Sequence, residues 1–174
     1  MTTDHDSADL DLARHAARSA GDVLLAHWQA RERLDVRAKR AGDFVSRADL
    51  DAETCLRDIL IGANPQDGWL GEETDPKPAA RRWIVDPLDG TTNFLRGIPH
   101  WATSIALEID GMRVLGVVHD PVKGETFAAR RGGGCWLNGQ RVGVAGTAQM
   151  GDALFGTGIP FGGMADIDTH AADI

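Results

Sequence analysis

The sequence predicts an α+β protein in which helices layer against a sheet, and three observations carry that prediction. Apolar residues recur at steps of three and four through the N-terminal third, which is the helical period. From Trp69 on, the pattern changes to short β-rich runs. Those runs are separated by Asp-Gly, Asn-Gly and Gly-rich segments, the chemistry of antiparallel hairpins. Helices first and a meander second is the order of an α+β layer fold.

The first helix is predicted over residues 8–30, with Leu10, Ala13, Ala17, Ala20, Leu24 and Trp28 as its apolar stripe and Ser7 as its N-cap. Its acids read as a solvated face and as helix-start charges. A short polar stretch, RAKRAGD, follows. Ser46-x-x-Asp49 reads as a capping box that opens a second helix over roughly residues 46–61, carrying Leu50, Leu56, Ile59 and Leu60 inward. Gly62 and Pro65 end it. Trp69-Leu70 is a short strand leading into Gly71-Glu72-Glu73, and Trp83-Ile84-Val85 is a second. The strand-like runs Ser104–Ile109, Val114–His119, Thr126–Ala129 and Cys135–Leu137 then follow, with turns at Asp110-Gly111, around Pro121–Gly124, at Gly132–Gly134 and at Asn138-Gly139. A further strand is expected to begin at Ala153–Phe155. The domain reading is therefore 1–150 as an N-terminal α+β unit and 151–174 as the start of a second, α/β unit.

Composition narrows the function. Of 174 residues, 43% are apolar, which suits a globular core, and the net charge of −8 argues against an extended nucleic-acid surface. Acidity does not exclude a phosphate ligand, because a bound divalent cation inverts the local charge. Cys55 and Cys135 are far apart and show no metal spacing, so they read as reduced thiols of a cytoplasmic protein. No secretory leader is visible at the acidic N-terminus, and no apolar run is long enough to cross a bilayer.

The chemistry concentrates in WIVDPLDGTTNF, where an apolar run passes straight into Asp86 and Asp89. Taken alone, D-P-L-D-G reads as a solvated β-turn or as a cation site. If the strands ending at Glu72 and at Asp86 are neighbours, Glu72, Asp86 and Asp89 meet at one edge of the sheet. Magnesium takes about six oxygen ligands, usually a few carboxylates with water and substrate phosphate. Asp86 and Asp89 can flank such a cation with the Leu88 carbonyl facing it, since Pro87 bends the chain between them. Gly90 permits close backbone approach, Thr91 and Thr92 offer hydroxyls, and free N–H groups after Gly90 suit a phosphate.

The string GEET, then WIVDPLDGTTNF, then GIPHWATSIAL resembles the inositol monophosphatase family of magnesium-dependent, lithium-sensitive phosphatases, and the likeness runs from the first helix through GTGIPF at residues 156–161. The resemblance implies the layered αβαβα sugar-phosphatase fold, Mg2+ as cofactor, a small phosphate ester as substrate, and a homodimer at full length. It implies Glu72, Asp86, the Leu88 carbonyl and Asp89 as metal ligands. Glu72, Leu88, Asp89, Gly90 and Thr91 would meet substrate, with the phosphate against Gly90 and Thr91. Thr91 and Glu72 would orient the attacking water as the catalytic pair. Asp43 and Asp49 match the acids of a further metal position, and Lys39 matches a basic residue of the same loop. The substrate expected is inositol monophosphate or a similar ester, with histidinol phosphate, 3′-phosphoadenosine nucleotides and fructose bisphosphate as alternatives.

One family feature is missing from the 174 residues: the W-D-x-A-A-G segment that carries another metal-binding aspartate. The chain is thus expected to match the N-terminal domain with the C-terminal α/β domain largely absent, to bind magnesium weakly and show little or no phosphatase activity on its own, and to expose an apolar sheet face that favours self-association. A binding or regulatory remnant is the alternative to an enzyme. Other motifs carry less. Gly156-x-Gly158 lacks dinucleotide spacing, and Gly132–Gly134 has no following Lys-Ser or Lys-Thr. His100 and His119 stand alone, and the five tryptophans read as core.

Overall fold

The computed structural model describes residues 4–30, 36–40 and 43–154. Helix α1 spans Asp4–Gln29 and α2 spans Arg47–Ala63. Strands β1 (Val36–Arg40) and β2 (Asp43–Ser46) form a two-stranded antiparallel hairpin between them. The main sheet has seven strands: β3 (Gly68–Leu70), β4 (Arg81–Asp89), β5 (Ala102–Ile109), β6 (Met112–Asp120), β7 (Glu125–Arg130), β8 (Gly134–Leu137) and β9 (Gln140–Val142), in that spatial order. A short helix, α3 (Thr91–Leu95), follows β4. This is the helix-on-sheet α+β layering that the sequence predicts.

Several expectations need correction, and one is that Gly62 ends the second helix, since α2 runs through it to Ala63. Helix α1 begins at Asp4, so Ser7 lies inside it and is not its N-cap. The polar stretch RAKRAGD is largely strand, since Val36–Arg40 pairs with Asp43–Ser46, and its sequence shows no apolar run that would announce it. β4 does not stop at Val85 but continues through Asp86 to Asp89, with the irregularity at Pro87 absorbed as a break in register between Asp86 and Asp89. At the C-terminal side, Met150–Asp152 form a 3-10 turn and Ala153-Leu154 are irregular. Phe155, GTGIPF and the rest of the segment assigned to a second domain lie outside the described residues.

Strict alternation explains the core. Trp83 and Val85 of β4, Ile105 and Leu107 of β5, Leu115 and Val117 of β6 and Ala128 of β7 face one side and are buried. Against them pack Leu10, Ala13, Ala17, Ala20 and Leu24 of α1 and Ala48, Ala52, Leu56 and Leu60 of α2. Alanines at the helix–sheet contact let α1 lie close to β5 and β6. The hairpins close through Asp110-Gly111 (φ 50 and 78) and Asn138-Gly139 (φ 49 and 84), both central residues being left-handed as a two-residue turn of this hand requires. On the opposite face Val118 and Phe127 are exposed, in line with the apolar face expected of the meander.

Polar anchors fix α1 to the sheet. Arg81 Nη1 and Nη2 donate to Asp9 at 3.0 and 2.8 Å, and Arg81 Nε donates to Asp67 at 2.9 Å. Asp67, 2% exposed, also accepts from the Trp83 indole at 3.0 Å. Asp9 is therefore a structural acid of α1 and not part of a solvated face. The tryptophans are core residues: Trp69, Trp83 and Trp101 are buried, while Trp28 and Trp136 pack against the cluster. Cys55 and Cys135 are free thiols, and His119 is buried with its ring against Thr126 Oγ1 at 3.0 Å.

Candidate active site

β3 and β4 are parallel neighbours, paired Gly68↔Arg82, Trp69↔Trp83 and Leu70↔Ile84. Parallel pairing puts both C-terminal ends at the same edge, so the Glu72 loop and the Asp86–Asp89 segment arrive together. Helix α2 brings its first turn to the same place and adds Asp49, which is 1% exposed. Ligand oxygens of Asp49, Glu72 and Glu73 lie within 4.8 Å of one another. Asp86 feels the charges of Glu72 and Asp89, and Asp49 feels that of Asp86. Glu73, adjacent to Glu72 in the G-E-E string, joins the group although sequence reasoning gave it no role. Asp43 opens β2 and Lys39 lies in β1; the side chains of both lie outside the described residues. The β2 backbone does border α2 and α3, so the hairpin adjoins the site.

Burial, with like charges alongside, shows in the acid strengths. Burial, followed by the charges of Glu73, Glu72, Asp86 and Glu53, pushes the Asp49 carboxyl from 3.8 up to about 8. Burial, followed by the charges of Glu72 and Asp89, pushes Asp86 from 3.8 up to about 7, against the pull of the Leu88 N–H that donates to it. Asp86 Oδ1 is buried with no hydrogen-bond donor among the described residues. An acceptor oxygen buried in that state is costly unless a cation or proton reaches it.

Beyond Asp86 the chain is held by hydroxyls. Thr103 Oγ1 donates to the Pro87 carbonyl at 2.9 Å and fixes the irregular end of β4. Thr91 Oγ1 donates to the Leu88 carbonyl at 2.9 Å. Its hydrogen thus spent, the hydroxyl keeps its lone pairs for accepting. Gly90 has φ 94, and a Cβ there would meet the His100 carbonyl at 3.0 Å. Both facts require glycine where the chain swings from β4 into α3. Phe94, fully buried, anchors α3 against Trp28 and Trp101 with ring centroids 5.3 and 5.0 Å away. Asp89 and Gly90 open onto a cleft of about 270 Å³ that continues past His100 to Lys123 and Phe127.

Residues 6–172 match the inositol monophosphatase family. The chain belongs to the inositol monophosphatase family. It is 45% identical to an inositol-1-monophosphatase of Rhizobium meliloti, over 88% of this chain and 59% of that protein. It is 41% identical to a histidinol-phosphatase of Chlorobaculum parvum, over 81% of this chain and 55% of that one. Among solved structures, the extragenic suppressor protein suhB of Bartonella henselae superposes with a TM-score of 0.79 at 41% identity, covering 80% of this chain and 55% of that chain. This family member thus spans a little over half the length of the curated relatives it matches. None of its described helices is long and apolar enough to cross a membrane.

Proposed function

We propose that this chain carries the acid set and phosphate-binding turn of a magnesium-dependent phosphomonoesterase acting on a small phosphate ester, inositol monophosphate first. The observation that supports it most is the convergence of Asp49, Glu72, Glu73 and Asp86 at one sheet edge beside Gly90 and Thr91, with Asp49 and Asp86 held as weak acids. An all-oxygen, carboxylate-rich set with an unsatisfied Asp86 oxygen fits a hard divalent cation. Family membership supports the phosphatase reading, and the histidinol-phosphatase relative makes histidinol phosphate the second ester to test.

In this reading Glu72, Asp86, Asp89 and the Leu88 carbonyl hold magnesium, with Asp49 and Asp43 at a further position. The cation supplies charge neutralisation for the phosphoryl oxygens and a lowered pKa for water. The backbone at Gly90 and Thr91 seats the phosphate. Thr91 Oγ1, whose proton is committed to the Leu88 carbonyl, accepts a hydrogen bond from the attacking water and aims its oxygen at phosphorus. Glu72 takes the other proton of that water as the new P–O bond forms and the ester P–O bond breaks. The leaving alkoxide is released as the alcohol after protonation from solvent.

The test is phosphate release from inositol monophosphate and histidinol phosphate by a form of the chain extended to the length of its relatives, with magnesium or with a chelator, for wild type and Asp89→Asn. The expected result is magnesium-dependent release that Asp89→Asn removes with the fold intact, because an amide brings no charge to the cation. Release that survives chelation, or a wild-type rate in Asp89→Asn at saturating magnesium, overturns the assignment.

A further inference from the structure

Helix α2 places a second acid beside the site, one turn after Asp49, that is not itself one of the converging oxygens. Glu53 is fully buried, and a carboxylate in that position has to be surrounded by donors. Its Oε2 accepts from the Glu73 backbone N–H at 2.8 Å. Its Oε1 accepts from the Thr74 N–H at 3.1 Å, from the Trp69 indole at 3.3 Å and from the Thr74 hydroxyl. With three donors on one oxygen and one on the other, the carboxylate is spent on the loop.

The shape of that loop follows. In an extended strand successive N–H groups point to opposite sides. For the Glu73 and Thr74 amides to converge on one carboxylate, the chain has to curl around it, as backbone nests do around anions. The curl ends β3 at Leu70 and turns Glu72 and Glu73 toward Asp49. Gly71 makes the close approach possible, since a Cβ there would lie 2.2 Å from Glu53 Oε1. Asp49 and Glu53 are four residues apart on one helix and so share a face. One turn of α2 therefore presents Asp49 to the acid set and fixes the position of the two loop acids that meet it.

We infer that Glu53 is a positioning residue for the cation-binding acids, acting through the Gly71–Thr74 loop that folds around its carboxylate. The inference rests on the proposed cation site. Two readouts test it on the full chain: hydrogen exchange of the Glu73 and Thr74 amides, and Mn2+ binding followed by electron paramagnetic resonance. Glu53→Gln keeps the shape, but either orientation of its amide turns an N–H2 group toward a backbone N–H. Those two amides are expected to exchange about tenfold faster or more, with the amides of β5 and β6 unchanged. Mn2+ affinity is expected to fall about 10- to 100-fold, as when a group that orients a ligand is lost. Thr74→Val, which removes one donor and keeps the volume, carries the test if Glu53→Gln does not fold, with a loss of about three- to tenfold in both readouts. Leu60→Ala, a core truncation further along α2, is the control for lost stability.

Wild-type exchange and Mn2+ affinity in both loop variants overturn the inference, as does a loss no larger than that in Leu60→Ala. If the wild-type chain itself binds no Mn2+, the cation reading is overturned independently of any variant, and the role of Glu53 goes with it.

Discussion

Replacing Asp49 by Asn removes a buried titratable carboxyl from beside Glu72, Glu73 and Asp86, and its effect on stability follows with a definite sign. The carboxyl stands near 8 in the folded chain against an ordinary 3.8. Below pH 4 both folded and unfolded chains hold the proton, and stability is unaffected. As pH rises from 4 toward 8 the unfolded chain loses the proton while the folded chain keeps it, so stability falls, and above 8 the loss is complete. At about 1.4 kcal/mol per pH unit the span of roughly four units bounds this loss at about 6 kcal/mol. Burial is the larger cause of the shift and the charges of Glu73, Glu72 and Asp86 add to it; relaxation around an ionised Asp49 lowers the effect below that bound, to about 2–3 kcal/mol.

Asn has nearly the same shape and no charge. Without divalent cations, Asp49→Asn is expected to match wild type below pH 4, to exceed it only slightly at pH 5, and to exceed its melting temperature at pH 8 by about 5–10 °C, using about 2–4 °C per kcal/mol for a chain of this size. Magnesium should reverse the order, because it stabilises the wild-type chain in proportion to its affinity and the variant has lost a nearby charge. The measurement is thermal unfolding by circular dichroism at pH 5 and pH 8, with chelator and with magnesium. A variant less stable than wild type at pH 8 in chelator, or a difference that does not change between pH 5 and pH 8, would refute the electrostatic reasoning.

Two further substitutions separate the roles of the turn. Thr91→Ala is expected to lower kcat about 10²-fold or more while shifting magnesium dependence little, since its hydroxyl orients water and carries no charge; an effect confined to magnesium affinity would remove that role. Gly90→Ala places a side chain at φ 94 and 3.0 Å from the His100 carbonyl. It is expected to cost about 1–3 kcal/mol, read as a drop of a few degrees in melting temperature, and a wild-type melting temperature would show that the turn relaxes freely.

The meander is legible in the sequence because its turns are written in Asp110-Gly111 and Asn138-Gly139, where left-handed backbone at two successive residues has few other sequence solutions. That β3 and β4 are neighbours enters the sequence reading only as a condition, because a three-residue strand leaves almost no pattern to fix its partner. β9, three exposed residues long, leaves none at all. The hairpin of β1 and β2 looks like a polar stretch for a related reason: its strands are five and four residues long, too short for a side-chain period to report the pairing. Pro87 marks a strand end in the sequence, whereas the register break and the Thr103 bond to its carbonyl carry the strand past it.

At the site, the residues legible in sequence are those in the compact D-P-L-D-G-T string, where spacing and backbone constraint are local. Glu53 and Glu73 are not, because what distinguishes them is tertiary. Glu73 is one of two adjacent acids until the loop curls, and Glu53 is one more polar position on a helix until Trp69, Glu73 and Thr74 close over it. Asp49 carries two local readings, capping acid and metal acid, and its environment bears on the second. An acid wanted only for a helix start gains from water and from the helix dipole. Asp49 has been withdrawn from water and set beside Glu72, Glu73 and Asp86, an arrangement that weakens the metal-free fold at neutral pH. Local preference is violated at Asp49 and Asp86, whose carboxyls are raised by burial and by the neighbouring charges of Glu72 and Glu73 among others, and a single multivalent cation is a ligand that would lower those costs together.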